Sequence, residues 1–369
     1  MQIGIDASRA LKTKFKTGIE HYTAEIIKAL AKIDSENQYL LYSPKPPTNT
    51  LAALPSNFIY KIMPFPRLWS QVRLSLEFLF NKPDVFFEPA HTVPLIHPKN
   101  SVITIHDLGF KYFPELYTPF EKRYHNFSAD FSARHGKIVI VPSENTKNDL
   151  IKFYNLPAAK IRVVPHGIDH SLYYPVKQPL KDTSLDRAPY LFFIGRLEEK
   201  KNILGLLEAY ALLRQEREIK HKLVLAGKPG FGYEKIKERM LKFPPHIQAD
   251  IVELGYVPEE ELSQWMRHAD CFVFVSFFEG FGIPVIEAMA SNVPVVCSNT
   301  TSLPEVASGA AILVDPKSPL DISAALSKII HSQKVRGNLI YKGRKRALNF
   351  TWEKAAKATL EILKEASRE

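Results

Sequence analysis

The stretch "CFVFVSFFEGFGIPVIEAMA", residues 271–290, joins a run of apolar residues to a glycine-rich segment. The run "CFVFVSFF" is typical of a buried strand, and Pro284 occupies a position that is favoured in the first turn of a helix. The stretch therefore predicts a strand, a glycine loop and a helix, in that order. Because ligands bind at the carboxyl ends of strands in helix-covered parallel sheets, this loop is a candidate ligand site.

Short apolar runs alternate with amphipathic segments along the whole chain. Nearly continuous apolar strands separated by helices are typical of parallel sheets covered on both faces. One helical pattern places Ile19, Tyr22, Ile26 and Leu30 at spacings of three and four. The predicted strands are residues 2–6, 39–43, 58–63, 84–88, 101–107, 137–143 and 161–167, then 190–196, 221–227, 250–257, 271–278, 293–299 and 310–315.

The length of 369 residues predicts two domains. Residues 173–189, "YYPVKQPLKDTSLDRAP", are polar, rich in proline and without a clear period, which is typical of a linker. We therefore expect one α/β domain over 1–172 and a second over 190–350. The segment 351–366 is a strong helical pattern, and we expect this C-terminal part, 351–369, to pack back on the first domain.

Composition limits the class of protein. The net charge of +10 and the isoelectric point of about 9.3 fit anionic partners such as nucleotides, phosphorylated lipids, a membrane surface or nucleic acid. Cys271 and Cys297 lie in apolar runs and are expected to be buried thiols in a reducing compartment. The N-terminus lacks the pattern of a signal peptide and no run reaches about 18 apolar residues, so a cytoplasmic protein is expected.

Two glutamates flank the glycine loop. Glu279 follows the predicted strand directly, where a sugar hydroxyl can reach it, and Glu287 is expected in the first turn of the helix. A carboxylate accepts hydrogen bonds from vicinal hydroxyls, so Glu287 is a candidate for binding a ribose; the alternative is a residue that complements the helix dipole. Gly280 and Gly282 allow close approach of the backbone, and the helix N-terminus offers free N–H groups to a phosphate.

The stretch resembles the E-x7-E signature of retaining glycosyltransferases of family 4. That family has the GT-B fold, an α/β architecture in which two Rossmann-like parallel-sheet domains face each other across a cleft. Further segments resemble the family in the same order: "TGIEHYT" (17–23), "ITIHDL" (103–108), "VPSENTKNDL" (141–150), "VVPHGID" (163–169), "FIGRLEEKKN" (193–202), "LGYVPEEEL" (254–262) and "FTWEKAA" (350–356). The resemblance covers nearly the whole chain.

The resemblance implies roles for individual residues. Arg196 and Lys201 would grip the donor diphosphate, and two fixed cations there stabilise the negative charge that grows as the glycosidic bond breaks. His106 would lie near the hydroxymethyl group of the donor sugar, unless it is an ordinary core histidine, while Asp107 either orients His106 or caps the next turn. The implied catalytic residues are His106, Glu279, Arg196 and Lys201, and the implied donor-binding residues are Gly18, Tyr256, Val257, Gly280, Phe281, Gly282, Ile283 and Glu287.

The predicted function is retaining transfer of a hexose from a sugar nucleotide to a glycan or lipid-linked acceptor. The chain looks most like bacterial mannosyltransferases of polysaccharide assembly, which makes GDP-mannose the first expectation for the donor and UDP-sugars the second. The sequence has no D-x-D pair, no G-x-x-x-x-G-K-[ST] loop and no zinc-type spacing, so neither a metal nor a further cofactor is expected. The alternatives are a sugar-nucleotide epimerase of the same fold, a nucleic-acid-binding protein or a non-catalytic sugar-nucleotide binder.

A membrane contact is also predicted for the N-terminal domain. Residues 65–82, "FPRLWSQVRLSLEFLFNK", are helical by pattern, with Leu68, Val72, Leu76 and Leu79 in one stripe. Arg67 and Arg73 in this segment and the basic segment 8–16 add cations, which attract anionic lipids. The domain would then lie peripherally on the inner face of the membrane; the alternative is that the stripe packs on the sheet of its own domain.

Overall fold

The computed structural model describes residues 1–11, 18–47, 51–65, 68–176, 188–216 and 219–368. The chain divides into two compact units, Met1–Gly167 with Thr351–Glu369, and Ile168–Phe350. Each unit is a parallel sheet covered by helices. The predicted fold class, an α/β protein with two Rossmann-like sheets, is confirmed.

The first unit contains a seven-stranded parallel sheet with the order β3-β2-β1-β4-β5-β6-β7. The direction of strand addition reverses between β1 and β4, and the crevice beyond the strand ends at such a reversal is where ligands bind in doubly wound folds. The strands are β1 (Gln2–Asp6), β2 (Gln38–Ser43), β3 (Phe58–Ile62), β4 (Val85–Glu88), β5 (Ser101–Thr104), β6 (Ile138–Val141) and β7 (Ile161–Val163).

The helices of the first unit lie between these strands and at the end of the chain. They are α1 (Gly18–Ile33), α2 (Ser75–Phe80), α3 (Gly109–Tyr112), α4 (Pro119–His135) and α5 (Glu144–Tyr154), with the C-terminal α14 (Trp352–Ser367). A π-helical segment, Trp69–Leu74, leads into α2, and 3₁₀ turns occupy Pro114–Leu116 and Ala158–Lys160.

The second unit contains a six-stranded parallel sheet with the order β10-β9-β8-β11-β12-β13, which reverses between β8 and β11. The strands are β8 (Tyr190–Ile194), β9 (Lys222–Ala226), β10 (Ile251–Gly255), β11 (Cys271–Phe274), β12 (Val295–Ser298) and β13 (Ile312–Val314). The helices are α6 (Ile203–Glu216), α7 (Tyr233–Leu241), α8 (Pro245–Gln248), α9 (Glu259–His268), α10 (Ile283–Ala290), α11 (Leu303–Ala307), α12 (Pro319–His331) and α13 (Gln333–Ala347).

The chain enters the second unit earlier than the sequence predicts. The predicted boundary follows residue 172, whereas the second compact unit begins at Ile168. The reason is packing: Ile168 and Tyr173 are buried in the core of the second unit, and the Ile168 amide donates to the Phe350 carbonyl. Of the predicted linker 173–189, residues 177–187 lie outside the described residues.

The last helix belongs structurally to the first unit. Thr351 caps α14 by accepting a hydrogen bond from the Lys354 amide. One face of α14, including Trp352, Ala356 and Leu363, is buried in the same hydrophobic cluster as Tyr22 of α1. The helix therefore covers part of the apolar surface of the first sheet, although it follows the last strand of that sheet by nearly two hundred residues.

Candidate functional site

The loops after β8 and β11 meet at the reversal point of the second sheet. The 3₁₀ turn Glu199–Lys201 follows β8, and the glycine loop follows β11. A backbone hydrogen bond of 3.0 Å from the Phe277 amide to the Lys200 carbonyl joins the two loops directly. The predicted catalytic residues include Arg196, Lys201 and Glu279. These three thus lie on neighbouring loops at the carboxyl-terminal edge of the second sheet, which we call the strand edge.

Lys201 and Glu279 form an ion pair. The Nζ of Lys201 donates to Oε1 of Glu279 at 2.5 Å, and both side chains are largely buried, 15% and 12% exposed. The Nζ also lies 5.3 Å from the centroid of the Phe274 ring. An ammonium has three donors, so Lys201 can hold Glu279 in place and still donate to a second anionic group.

Arg196 lies on the solvent side of the same edge. Its side chain is 68% exposed, with Nε 3.7 Å from Oε2 of Glu198. The backbone of its loop is fixed, because the Gly195 amide donates to Ala226. A Cβ on Gly227 would lie 1.8 Å from the Gly195 carbonyl oxygen, so only glycine permits this approach. The loop is therefore rigid at its base while the guanidinium can reach a ligand.

Asn202 holds the turn that carries Lys201. The residue is 4% exposed, and its backbone has the left-handed conformation, with a φ of 56°. Its Nδ2 donates to the carbonyls of Val275 at 3.0 Å and Pro316 at 2.6 Å, and its Oδ1 accepts from the Gly205 amide at the start of α6. One side chain thus ties the loop after β8 to the end of β11.

The glycine loop is held from the opposite side by Thr301 and Ser302. The Ser302 hydroxyl lies 2.9 Å from the carbonyls of both Glu279 and Phe281, and the Glu279 amide lies 3.2 Å from the Thr301 hydroxyl. Gly282, just before α10, has a φ of 107°, a conformation that favours glycine.

The other predicted loop residues frame the start of α10. Phe281 is buried against Phe350, with ring centroids 5.8 Å apart, and Gly280 is buried. Ile283 is the first residue of α10 and is half-buried. Four residues of the predicted donor set, Gly280 to Ile283, therefore form one fixed segment. The amino end of α10, which begins at the last of these residues, lies at this strand edge.

Glu287 lies in the second turn of α10, so the prediction of a first-turn position is wrong. The helix begins at Ile283, ahead of Pro284, and no acidic residue lies in its first turn. The helix-dipole explanation for Glu287 therefore fails as well. Burial, with Glu259 nearby, raises the pKa of Glu287 to about 8, while a hydrogen bond from the Tyr173 hydroxyl lowers it. Such a carboxyl is protonated at neutral pH until a ligand or a change of environment ionises it.

Tyr256 and Val257 follow β10, at the outer side of the same strand edge. Tyr256 is half exposed, and the Lys228 Nζ lies 5.1 Å from its ring centroid. Val257 packs partly against the core of the second unit. The structure brings both residues to the strand edge of Arg196, Lys201 and Glu279.

His106 and Gly18 lie in the first unit. His106 follows β5 and is buried, with Nε2 2.8 Å from the Pro89 carbonyl and Nδ1 3.4 Å from Nε2 of His166. Burial lowers the pKa of His106 to about 4, so the ring is neutral at physiological pH. If Nε2 carries the proton and donates to Pro89, then Nδ1 accepts from His166.

The neighbours of these two residues are also defined. The Gly109 amide donates to Asp107, so Asp107 caps the turn that begins α3, one of its two predicted roles. Gly18 is the first residue of α1 and is exposed, with open space where a side chain would begin. Lys16 and Thr17, which precede it, lie outside the described residues.

Three residues of this site were missed at the level of sequence. Asn202 looks like an ordinary polar residue after two lysines, and only its left-handed conformation marks it. Gly227 lies in "LAGKPGFG", where the close approach to Gly195 depends on strand pairing. Tyr173 lies in the predicted linker and meets Glu287 through the fold alone. None of the three carried a local signal strong enough to identify it.

The comparisons with known proteins agree with this geometry. A model for glycosyl transferases group 1 matches residues 178–346, and a model for Glycosyltransferase Family 4 matches residues 16–172. The O-antigen chain mannosyltransferase B of Escherichia coli is 34% identical over 275 residues, which cover 72% of this chain and 70% of that protein.

Two solved structures have a similar fold. Sucrose-phosphate synthase from Thermosynechococcus elongatus superimposes with a TM-score of 0.77 at 18% identity, covering 99% of this chain and 98% of that one. Anabaena Alr3699/HepE in complex with UDP-glucose superimposes with a TM-score of 0.73 at 15% identity, covering 99% and 100%.

The fold and the family matches define a glycosyltransferase of the GT-B class. The chain belongs to glycosyltransferase family 4. The resemblance drawn from "SFFEGFGIPVIEAMA" and the other motifs is therefore confirmed. No helix in the described part of the chain combines the length and the apolar composition needed to cross a bilayer.

We expect Asn202→Ala to destabilise the second unit more than Asn292→Ala. Asn292 is also left-handed, with a φ of 60° against 56° for Asn202, so both variants lose an asparagine from the same conformation. Only Asn202→Ala also leaves the Val275 and Pro316 carbonyls without their donor, which costs about 1–3 kcal/mol more. Urea unfolding of both variants measures the difference; equal losses would contradict the assigned role.

We expect Glu287→Gln to stabilise the protein at alkaline pH. The folded chain holds the Glu287 proton up to a pKa of about 8, whereas the unfolded value is 4.5. Wild-type stability should therefore fall as the pH rises between these values, by a few kcal/mol at about 1.4 kcal/mol per pKa unit. The gain from Glu287→Gln should be larger at pH 9 than at pH 4. Exposed Glu353→Gln is the control, and a gain independent of pH would contradict the buried carboxyl.

Proposed function

We propose that this glycosyltransferase moves mannose from GDP-mannose to a glycan or lipid-linked acceptor, with retention of the anomeric configuration and without a metal ion. The observation that carries the proposal is the Lys201–Glu279 pair at the reversal point of the second sheet. It sets a cation that suits a diphosphate directly beside a carboxylate that suits a sugar.

Arg196 and Lys201 would bind the diphosphate. As the bond between the sugar C1 and the diphosphate oxygen breaks, negative charge grows on the leaving group. The exposed Arg196 guanidinium can bind a phosphate in bidentate fashion, and Lys201 adds a buried cation whose position is fixed by Asn202 and Glu279. These two cations would supply the charge stabilisation for which other glycosyltransferases use a metal.

The transfer would proceed from the face that the leaving group occupies. The C1–O bond to the diphosphate breaks, the acceptor oxygen bonds to C1 on the same face, and the acceptor proton passes to the departing diphosphate oxygen. Glu279 would position the sugar and stabilise the positive charge that develops at C1. Its ion pair with Lys201 fits this electrostatic role better than that of a covalent nucleophile.

The nucleoside would lie along the same strand edge. Glu287, next to the Tyr173 hydroxyl, would accept the ribose hydroxyls and become ionised as it does so. The backbone near Tyr256 and Val257 would contact the base, and the loop from Gly280 to Ile283 would offer its N–H groups at the amino end of α10.

The first unit would hold the acceptor. The amino end of α1 at Gly18 would offer its free N–H groups to the donor diphosphate. His106, neutral and fixed by Pro89, would lie near the sugar hydroxymethyl group as a hydrogen-bonding residue. A lipid-linked acceptor would bring this unit to the membrane surface.

The relatives support mannose as the first candidate for the donor. The Escherichia coli relative is an O-antigen chain mannosyltransferase, and at 34% identity it is more similar in sequence than the Anabaena protein at 15%. The Anabaena structure contains UDP-glucose, and its sequence is 15% identical to this chain. UDP-sugars are therefore the second candidate.

We expect GDP release from GDP-mannose to exceed release of nucleotide from UDP-glucose, and to be unaffected by EDTA. Arg196→Ala should lower the rate by about 10²-fold, the scale for removing one group that stabilises developing charge. Exposed Arg344→Ala on α13 is the control and should leave the rate unchanged. Activity that EDTA abolishes and Mg²⁺ restores would contradict the metal-free mechanism.

The same assay separates the transferase from the epimerase alternative. A transferase passes the sugar to an acceptor or to water, and the anomeric proton of the product reports its configuration by NMR. An epimerase converts GDP-mannose to another GDP-hexose with no acceptor present. An isomerised GDP-hexose, or a transfer product of inverted configuration, would overturn the proposal.

A further inference from the structure

Helix α4 exposes three of its aromatic side chains. Its buried face consists of small residues, Ser128, Ala129, Ser132 and Ala133. Phe120, Tyr124 and Phe127 follow one another at spacings of four and three, so they form one stripe, and they are 77%, 39% and 54% exposed. An ordinary surface helix has the opposite arrangement, with apolar residues inside and polar residues outside.

The loop of residues 92–97, which packs against α4, continues this surface. The Thr92 hydroxyl lies 2.8 Å from Ser128 Oγ and the Val93 amide donates to Ser132, so the loop packs on the small-residue face of α4. Farther along, the His97 ring lies 6.3 Å from Phe131, whose ring is 5.6 Å from that of Phe127. Leu95 and Ile96, which adjoin His97, are exposed.

The same loop reaches the segment Leu68–Phe80. The Ile96 amide donates to the Ser75 hydroxyl, and Gln71 donates to the Val93 carbonyl. In this segment Leu74 and Phe78 fill the core, while the predicted stripe of Leu68, Val72, Leu76 and Leu79 is 37–66% exposed and Phe80 is 83% exposed. The alternative that the stripe packs on the sheet is therefore wrong.

These three parts form one surface, which we call the apolar band: the outward residues of Leu68–Phe80, the loop Leu95–His97 and the α4 stripe. Contiguous apolar surface of this kind on a soluble domain marks an interaction site. Cations flank it: Lys82 is exposed just after Phe80, Lys99 is exposed beside the loop, and Arg123 is exposed on α4 next to the stripe.

The charges favour one occupant over the others. A contact between two copies would bring the same cations, Lys82, Lys99 and Arg123, to the rim of the band from both sides, which does not complement them. An anionic bilayer surface instead attracts the cations and accepts the apolar side chains below its headgroups. Phenylalanine, leucine and isoleucine on a convex helical face also fit the acyl boundary better than a shaped protein pocket.

We propose that the apolar band docks the first unit on the surface of an anionic bilayer, with α4 as the principal anchor. Its purpose rests on the proposed function, because a lipid-linked acceptor is presented at that surface. The predicted basic cluster at Lys12, Lys14 and Lys16 lies outside the described residues, and the band does not depend on it.

The test is sedimentation with vesicles of phosphatidylcholine alone or of an equal mixture of phosphatidylcholine and phosphatidylglycerol. Wild type should bind the anionic vesicles, and binding should fall with salt. The double variants Phe120→Ser/Phe127→Ser and Leu76→Ser/Leu79→Ser should each lose at least tenfold in partition coefficient. The matched control Leu241→Ser/Leu320→Ser removes leucines of similar exposure, 65% and 64%, from the second unit and should bind as wild type does.

Two results would overturn the proposal. Either the wild type stays in the supernatant with both kinds of vesicle, or the serine variants bind as strongly as wild type. A wild-type dimer in light scattering that the serine variants disperse, without vesicle binding, would identify the band as a contact between copies.

The rate of GDP-mannose turnover, measured without vesicles, distinguishes a failure of the docking proposal from a failure of the proposed function. The serine variants should hydrolyse the donor at the wild-type rate, which also shows that they fold. Vesicle binding without any donor turnover would overturn the proposed function and leave the docking surface standing.

Discussion

The ion pair between Lys201 and Glu279 is the interaction on which the candidate site depends. The two residues come from loops 78 positions apart, and the pair, the Phe277–Lys200 backbone bond and the Asn202 side chain tie these loops together at one strand edge. A largely buried carboxylate needs a partner, because leaving a buried charge unpaired costs free energy. The ion pair therefore holds the Glu279 and Lys201 side chains against each other in the absence of any ligand.

The sheet topology explains why those loops meet. Each sheet begins with an interior strand, adds strands on one side, and then reverses to the other. The helices that follow the two strands at the reversal point lie on opposite faces of the sheet, so the loops that lead to them start side by side and line one crevice. In the second unit these strands are β8 and β11, so residues that follow them are set on either side of one crevice. Glycine is needed at Gly227, where the loop after β9 approaches the Gly195 carbonyl, and at Gly282, whose φ is 107°.

Much of the fold could be predicted from the sequence, because parallel strands that are buried on both faces are short, nearly continuous apolar runs. Every predicted run contains a strand, although most strands end earlier, since the last residues of each run leave the ladder to form the loops. Glu279 was placed correctly beyond its strand, although β11 ends at Phe274 and not at residue 278. The position of Glu287 and the start of the second unit at Ile168 were not, because each depends on tertiary packing that no local pattern encodes. For Leu76 and Leu79 the sequence left both exposure and packing on the sheet open, and the structure shows exposure.

The central claim is that Lys201 and Glu279 act as one unit on the donor. A double-mutant cycle on kcat/KM for GDP-mannose consumption tests it most directly, with Lys201→Met, Glu279→Gln and the double variant. If the pair acts as a unit, either single variant removes most of the transition-state stabilisation, and the double variant is about as slow as the slower single variant. Strictly additive losses would contradict the claim, because they would mean that the two residues act on the donor independently.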